Sequence, residues 1–368
     1  MQALILVGGE GTRLRPLTCN MPKSMVPVLN TPFLDHFFHY LAGHGVNNIV
    51  LAMGHLSRPI EEYFGDGSRF GIKLTYAVES QPMGTAGAVK NAERFLESSF
   101  LVINGDIFTD LDLSAMLDFH EKRRAIVTIA LTPVEDPTAY GLIETASGDK
   151  ITRFLEKPSW DQVTTNMINA GTYILNKEVL KRIPAGVNHS FERQLFPQLL
   201  EVGEPLFAFP SNAYWMDIGT PEKYLKLHRD LMRGEIKGYQ VVQGNVVKIG
   251  QNCTISPETE IIGPVFIGNN CVINRGVKIL GSVVLGDGAY MGEDCIVESS
   301  ILWSNVRLGS KVTLRECLVA NDSLLENNVN AEKTVLGDHV TVSRYSKLGA
   351  GTSIWPTAPA NPATPGKP

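Results

Sequence analysis

The chain has 368 residues, 43% of them hydrophobic and 19% charged, and a formal net charge of −5. That length exceeds one ordinary core and predicts two well-packed domains rather than a disordered chain. The acidic balance and the lack of a Lys/Arg-rich run exclude a general attraction to nucleic acid, and no apolar stretch approaches the ~18 residues of a membrane span, so any phosphate recognition must be local.

The opening MQALILVGGEGTR has no basic segment and runs straight into an apolar strand, which predicts a cytoplasmic protein rather than a signal peptide. Gln2–Val7 ends at Gly8-Gly9, as a buried parallel strand feeding a loop does. Gly8-Gly9-Glu10-Gly11-Thr12-Arg13 is a glycine loop whose backbone N–H groups can come close to phosphate oxygens. It is neither a P-loop, which needs Gly-Lys-Ser/Thr, nor a dinucleotide fingerprint, which needs glycine where Arg13 stands. An arginine there would project into the phosphate site and stabilise charge building on a phosphoryl group. Lys23 follows in Pro22-Lys23-Ser24-Met25-Val26-Pro27, a proline-bounded segment that cannot be regular helix and so holds the lysine on a shaped loop. A lone basic residue is by default a solvated surface charge; the spacing after the glycine loop favours the functional reading.

Leu34–His44 has helical spacing, Asn48–Met53 is strand-like, Lys73–Val78 alternates, and Thr85–Leu96 is helical. Phe100–Asn104 is a further apolar strand closing on Gly105-Asp106. This alternation predicts parallel β-α-β units with ligands at the carboxyl ends of the strands. Asp106 falls at one such end, and Asp217, in Tyr-Trp-Met-Asp-Ile-Gly-Thr-Pro, ends another apolar stretch. Two such carboxylates can converge on one divalent cation, or each can simply cap a helix.

After Gln240 the period changes to six: Ile249, Ile255, Ile261, Ile267, Ile273, Ile279, Leu285, Met291 and Val297. A hexapeptide period predicts a β-helix in which each aliphatic residue points inward and three hexads complete a coil. The phase slips by one residue to Leu302, Leu308 and Leu314, breaks over Ala320–Val335, and resumes at Leu336, Val342, Leu348 and Ile354; the slip and the break are expected to mark loops. Cys253, Cys271 and Cys295 sit four residues after inward positions and read as small buried side chains, and with Cys19 and Cys317 they form no CxxC pair, which points to reduced thiols. His339 is the only histidine after Tyr239 and reads as a solvated turn residue rather than an acyltransferase base. The tail after Trp355 is Pro/Ala-rich and expected to be disordered.

GGEGTRLRPLT followed by PKSMVPV resembles the signature of the nucleotidyltransferases that make NDP-sugars, and with the hexapeptide half the resemblance spans nearly the whole chain. The group it most resembles is the mannose-1-phosphate guanylyltransferases with a left-handed β-helix tail. The resemblance implies a Rossmann-like α/β catalytic domain with a mostly parallel sheet over residues 1–238, a left-handed parallel β-helix over 239–355 and a disordered tail over 356–368. It assigns catalysis to Arg13, Lys23, Asp106 and Asp217, with Mg²⁺ on Asp106 and Asp217. The nucleotide falls to Leu6, Gly8, Gly9, Gly11, Thr12, Arg13, Lys23, Glu79, Gly84, Thr85 and Asp106, and the sugar phosphate to Gly141, Glu156, Lys157, Asn169 and Gly171. Ser24 and Met21 depart from the family pattern without touching a charge.

Glu79-Ser80-Gln81-Pro82-Met83-Gly84 resembles the family's base-recognition loop, in which the residue five before the glycine reads the base and relatives that transfer uridylyl or thymidylyl groups place glutamine. Glu79 can only accept, which matches the N1–H and N2 donors of guanine and opposes a pyrimidine O4. A register shifted by two would give that role to Gln81. The expected reaction therefore joins GTP to mannose 1-phosphate, with glucose-1-phosphate uridylyl or thymidylyl transfer as the runner-up. A silent sugar-nucleotide-binding paralogue would lack one of Arg13, Lys23, Asp106 and Asp217, and all four are present. The β-helix is expected to serve oligomerisation or regulation.

Overall fold

The computed structural model describes residues 1–54, 58–239 and 246–357. The expected disordered tail from residue 358 onward lies outside the described residues. Contacts gather the chain into two units, Met1–Gly9 with Leu34–Asp217, and Glu10–Phe33 with Ile218–Pro368.

The first unit carries a nine-stranded mixed sheet. In chain order the strands are β1 (Gln2–Leu6), then the hairpin β2 (Pro27–Val28) and β3 (Thr31–Pro32) of the second unit, then β4 (Asn48–Met53), β5 (Lys73–Val78) and β6 (Ser99–Asn104). They continue with β7 (Ile107–Thr109), β8 (Val127–Pro133), β9 (Gly141–Thr145), β10 (Ile151–Glu156), β11 (Met167–Asn176), β12 (Leu206–Pro210) and β13 (Trp215–Asp217). β1 lies between β4 and β6, parallel to both, and β5 extends the parallel half beyond β4. Ala3, Leu4 and Ile5 are fully buried, as an unbroken apolar run covered on both faces must be.

Helices α1 (Phe33–Gly43), α2 (Arg58–Phe64), α3 (Gly84–Asn91) and α4 (Leu113–Arg123) follow successive strands, and α5 (Phe196–Glu201) comes after β11. α3 stops at Asn91, and a 3₁₀ turn, Glu93–Phe95, supplies the rest of the stretch expected to be helical. Beyond β6 the sheet turns antiparallel: β11 pairs against β6 and β8, with a register shift between Asn169 and Tyr173. Gly171, at φ +68°, lies inside that bulge and bends the strand where the site is built.

In the second unit, α6 (Pro221–Met232), capped by Thr220, precedes three parallel sheets of seven, six and six strands. These stack coil on coil as a parallel β-helix, and Ile267, Ile273, Ile279, Leu285, Met291, Val297, Leu302, Leu308 and Leu314 are all buried inside it. The expected interruption over Ala320–Val335 is overturned. Leu318–Val319, Leu324–Leu325 and Asn330–Glu332 are strands of the same three sheets, and Val319, Leu325 and Ala331 fill the core.

The one-residue slips mark no loops either; a tighter corner accounts for them. Where Gly263 and Gly281 turn the early coils, Ser299, Glu316 and Lys333 turn the later ones, all with positive φ, and bonds between equivalent positions there span 17 residues instead of 18. Cys271 and Cys295 are buried as expected, as is Cys317, and burial pushes the Cys271 and Cys295 thiols up to about 11, so neither is a reactive thiolate at neutral pH. Cys253, in the first coil, is only half-buried. His339 stands at a corner with φ +58°, its Nδ1 3.8 Å from Asp322. Among the described residues no helix is long and apolar enough to cross a membrane.

Each inward aliphatic packs on its equivalents in the coils above and below, as Leu308 does between Met291 and Leu325. Leu308→Ala should therefore cost about 2–5 kcal/mol, read as a lowered urea midpoint for the β-helix.

Candidate active site

In the first unit the site grows from the carboxyl ends of the parallel strands. The Gly105 N–H donates to the Leu6 carbonyl at 2.8 Å, and a Cβ on Gly105 would lie 2.6 Å from that oxygen. Only glycine lets the ends of β1 and β6 run this close. Gly8 in turn passes Gly54, where an added Cβ would sit 3.3 Å from the Gly54 nitrogen.

Asp106 leads directly into β7, which pairs antiparallel with β13 so that Asp217 faces Ile107. The register thus brings the two carboxylate-bearing positions within one residue of each other. Neither caps a helix: Asp112 caps α4 and Thr220 caps α6. Asp217 is 7% exposed and accepts the Tyr140 hydroxyl at 3.1 Å. The Tyr140 ring meets Trp215 edge-on at 5.4 Å, and Trp215 Nε1 donates to the Ala170 carbonyl at 2.9 Å.

The sugar-phosphate motifs cluster around the same ribbon. Glu156 pairs with Gly141 across β9 and β10, and a Cβ on Gly141 would lie 3.0 Å from Glu156 Oε2. Lys157 takes φ +48°, its N–H held by the Tyr140 carbonyl at 2.9 Å, and its side chain is exposed. At Gly171 a Cβ would strike Ile107 Cδ1 at 2.4 Å and Asn104 Nδ2 at 2.6 Å, so Asn169-Ala170-Gly171 is packed against the residues that flank Asp106.

The base loop is closed by Glu79, whose Oε2 accepts the Met83 N–H at 3.0 Å. Burial raises the Glu79 carboxyl above its ordinary value, and that N–H pulls it back down. Gln81 is exposed, and its amide donates to the Gly186 carbonyl at 3.2 Å. Gly84, at φ +69°, starts α3 against the His189 carbonyl, which accepts the Ala86 and Gly87 N–H groups at 2.9 and 3.0 Å. Thr85 Oγ1 accepts the Phe191 N–H at 2.9 Å and donates to Glu192 Oε2 at 3.3 Å.

Glu192, Tyr173 and Asn104 were not singled out from the sequence. Glu192 Oε1 accepts the hydroxyl of the fully buried Tyr173 at 3.1 Å, that hydroxyl accepts from Asn169 Nδ2 at 2.9 Å, and Asn169 Oδ1 accepts the Gly171 N–H at 2.9 Å. One polar chain therefore links Thr85 of the base loop to Gly171 of the sugar motif. Burial and the neighbouring Glu192 carboxylate hold the Tyr173 phenol well above its usual value, so it remains a donor. Among the described residues, the buried Asn104 Oδ1 has no hydrogen-bond partner.

Arg13 and Lys23 belong to the second unit. Gly11 takes φ +61°, and its carbonyl accepts Thr18 Oγ1 at 2.8 Å and the Leu14 N–H at 3.0 Å. A Cβ on Gly11 would lie 3.1 Å from Lys23 Cβ. Lys23 opens a 3₁₀ turn, Lys23–Met25, and is 8% exposed, which is not the setting of a solvated surface charge. Thr12 and Arg13 lie in the exposed part of the preceding turn, Thr12–Leu14.

Sheet, glycine loop and paired aspartates describe a nucleotide-handling α/β domain joined to a β-helix. The Nucleotidyl transferase family matches residues 2–234, and the GMPPB C-terminal domain matches residues 236–354. A mannose-1-phosphate guanylyltransferase of Mycobacterium tuberculosis is 37% identical over 72% of this chain and 74% of its own length. The mannose-1-phosphate guanylyltransferase catalytic subunit beta of Danio rerio is 37% identical over 90% and 95%. A UTP–glucose-1-phosphate uridylyltransferase of Synechocystis is 34% identical over 87% of each chain. Among solved structures, HddC of Yersinia pseudotuberculosis complexed with GMP-PN superposes with a TM-score of 0.54 at 33% identity, covering 61% of this chain and 96% of that one. The chain belongs to the nucleotidyl transferase family. It is a sugar-1-phosphate nucleotidyltransferase whose C-terminal domain is of the GMPPB type.

Tyr173→Phe removes the hydroxyl that Asn169 and Glu192 share and leaves both without it in a buried setting. It should lower stability by about 1–3 kcal/mol, checked by chemical denaturation. An unchanged midpoint would show that the chain of bonds is not made.

Proposed function

We propose that this protein transfers GMP from GTP to mannose 1-phosphate, giving GDP-mannose and pyrophosphate. The observation that carries the choice of base is Glu79: a half-buried carboxylate, anchored through one oxygen by the Met83 N–H, stands where the base is read. A carboxylate has about four acceptor sites, so it can hold that N–H and still accept both N1–H and N2–H of guanine. Gln81, exposed and turned to Gly186, fits the reading role less well. The guanylyltransferases among the relatives and the GMP-PN complex of HddC support the same base.

The chemistry is an in-line displacement in which a phosphate oxygen of the sugar 1-phosphate forms a bond to the α-phosphorus while the bond to pyrophosphate breaks. The nucleophile is already an anion, so the reaction needs positioning and charge stabilisation rather than a strong base. Arg13 and the amides of the glycine loop hold the departing phosphates, Lys23 stabilises charge at the α-phosphate, and Lys157 steers the attacking phosphate. Leu6, Gly8, Gly9 and Thr12 line the nucleotide, while Glu156 and Asn169 hold sugar hydroxyls.

Asp106 and Asp217 suit Mg²⁺. The β7–β13 register sets them within one residue of each other, and two carboxylates leave other positions for water and phosphate oxygens. When bound there, Mg²⁺ supplies neutralisation of the triphosphate charge. We also infer a cytoplasmic location and self-association through the β-helix.

The test is pyrophosphate release with Mg²⁺, crossing GTP, UTP, dTTP, ATP and CTP against mannose and glucose 1-phosphates. The proposal expects turnover with GTP and mannose 1-phosphate. Turnover with UTP and glucose 1-phosphate would select the second reading, which the Synechocystis relative favours. Silence throughout would make the chain a sugar-nucleotide-binding regulator.

Two variants sharpen the reading. Lys23→Ala should lose at least ~100-fold in kcat, and a loss under about threefold would remove Lys23 from the transition state. Glu79→Gln should shift preference from GTP toward UTP or dTTP, measured as the ratio of kcat/KM values. In the parent, protonating Glu79 sets a new donor against the donors of guanine. The KM for GTP should therefore rise on acidification, and because the carboxyl is raised by burial the rise begins at a higher pH than for an ordinary carboxylate.

A further inference from the structure

Within the second unit, the segment that carries Arg13 and Lys23 is fastened to residues of the β-helix and of α6. Asn20 Nδ2 donates to Asp338 Oδ2 at 3.2 Å, and Asn30 Nδ2 donates to the Leu285 carbonyl at 2.8 Å. The Leu29 N–H donates to His228 Nε2 at 3.2 Å, while His228 Nδ1 faces the Tyr224 carbonyl at 2.9 Å, which fixes the tautomer. The buried Tyr224 hydroxyl donates to the Pro27 carbonyl and accepts from Trp303 Nε1 of the β-helix at 3.2 Å.

These contacts hold strained backbone. Leu29 and Asn30, the two-residue turn between β2 and β3, have φ of +49° and +64°. A leucine rarely takes that conformation, and it persists where neighbours over-determine it. Asp338 is built into its coil: it is 5% exposed, and its Oδ1 accepts the Asn321 N–H and Nδ2, both at 3.1 Å. Its second oxygen is the one that meets Asn20. That asparagine lies between Thr18, which is bonded to the Gly11 carbonyl, and Lys23, whose Cβ would touch one on Gly11. The loop from Gly11 to Lys23 is thus closed on itself, and Asn20 is where a rigid carboxylate grips it.

We propose that Asp338 is a positioning residue for the transfer reaction: by accepting from Asn20 it fixes the loop that presents Arg13 and Lys23. The β-helix then sets the geometry of the cations that meet the phosphates, a role separate from self-association. The inference rests on the roles given above to Arg13 and Lys23.

The experiment uses the full-length chain and three variants, Asn20→Ala, Asp338→Asn and the exchanged pair Asn20→Asp/Asp338→Asn. Two readouts are taken: kcat and KM for whichever nucleotide and sugar phosphate turn over, and hydrogen exchange of the Leu14 and Leu17 amides, which are bonded inside the loop. Each single variant should lower kcat about tenfold with KM within about twofold, and should speed exchange in the loop by a similar factor while β-helix amides stay protected. In the exchanged pair the amide and carboxylate trade places, so the bond re-forms and both readouts should return to the parent values; a merely structural effect of either substitution would not be undone this way.

Parent-like kcat and exchange in Asn20→Ala would overturn the proposal, as would an exchanged pair no better than the single variants. A parent chain without turnover would overturn the catalytic reading instead, and loop exchange would then decide alone whether Asp338 holds the loop.

Discussion

The antiparallel pairing of β7 with β13 is the constraint around which the first unit's candidate residues are arranged. A parallel sheet delivers loops at its carboxyl edge but does not join those loops to one another. The ribbon does: by setting Asp217 opposite Ile107 it fixes the spacing of two acidic positions distant in the chain. The other contacts follow from that pairing. Tyr140 reaches Asp217, Trp215 reaches the Ala170 carbonyl, and Gly171 can close on Ile107 and Asn104 only because it has no side chain.

The second organising element is the buried polar chain from Thr85 through Glu192, Tyr173 and Asn169 to Gly171. Burying the Tyr173 hydroxyl beside the half-buried Glu192 is tolerable only because each polar atom named here finds a partner. The consequence is mechanical. The start of α3 at Thr85 and the bulge of β11 at Asn169 cannot shift independently, because each is bonded to the same carboxylate or to its tyrosine. The π-helical turn Phe191–Leu195, irregular by ordinary standards, is what turns Glu192 inward.

Much of this was legible in the sequence, and the misses have physical reasons. The strands ending at Val7 and Asn104, the glycine loop and the hexads announce themselves through local periodicity. The coil over residues 320–335 was missed because its phase shifts by one residue at each tightened corner and because Ala331 is a small filler in an aliphatic series. The shaped loop around Lys23 was readable from its prolines, whereas its burial was not, since burial depends on what packs over it. Glu192, Tyr173 and Asn104 lie in no contiguous motif; only the bulge in β11 and the end of β6 bring them to the site. Hydrogen-bond networks between distant strands leave no periodic trace, so a single sequence carries little sign of them.

The β-helix suits the task of holding a loop for a reason that its repeat makes plain. Each coil's backbone groups are bonded to the coils above and below at matched positions, so a side chain such as Asp338 is set by a lattice rather than by a single turn. A glycine-rich loop has the opposite character: it approaches phosphates closely because it lacks side chains, and for the same reason it has little packing of its own to keep it in place. Catalysis by positioned cations loses effect steeply with small displacements, since the gain comes from groups already oriented before charge develops. On the roles proposed for Arg13 and Lys23, fastening their loop to the bonded coils resolves that conflict. It also gives a physical reason for a transferase domain and a hexapeptide domain to share one polypeptide.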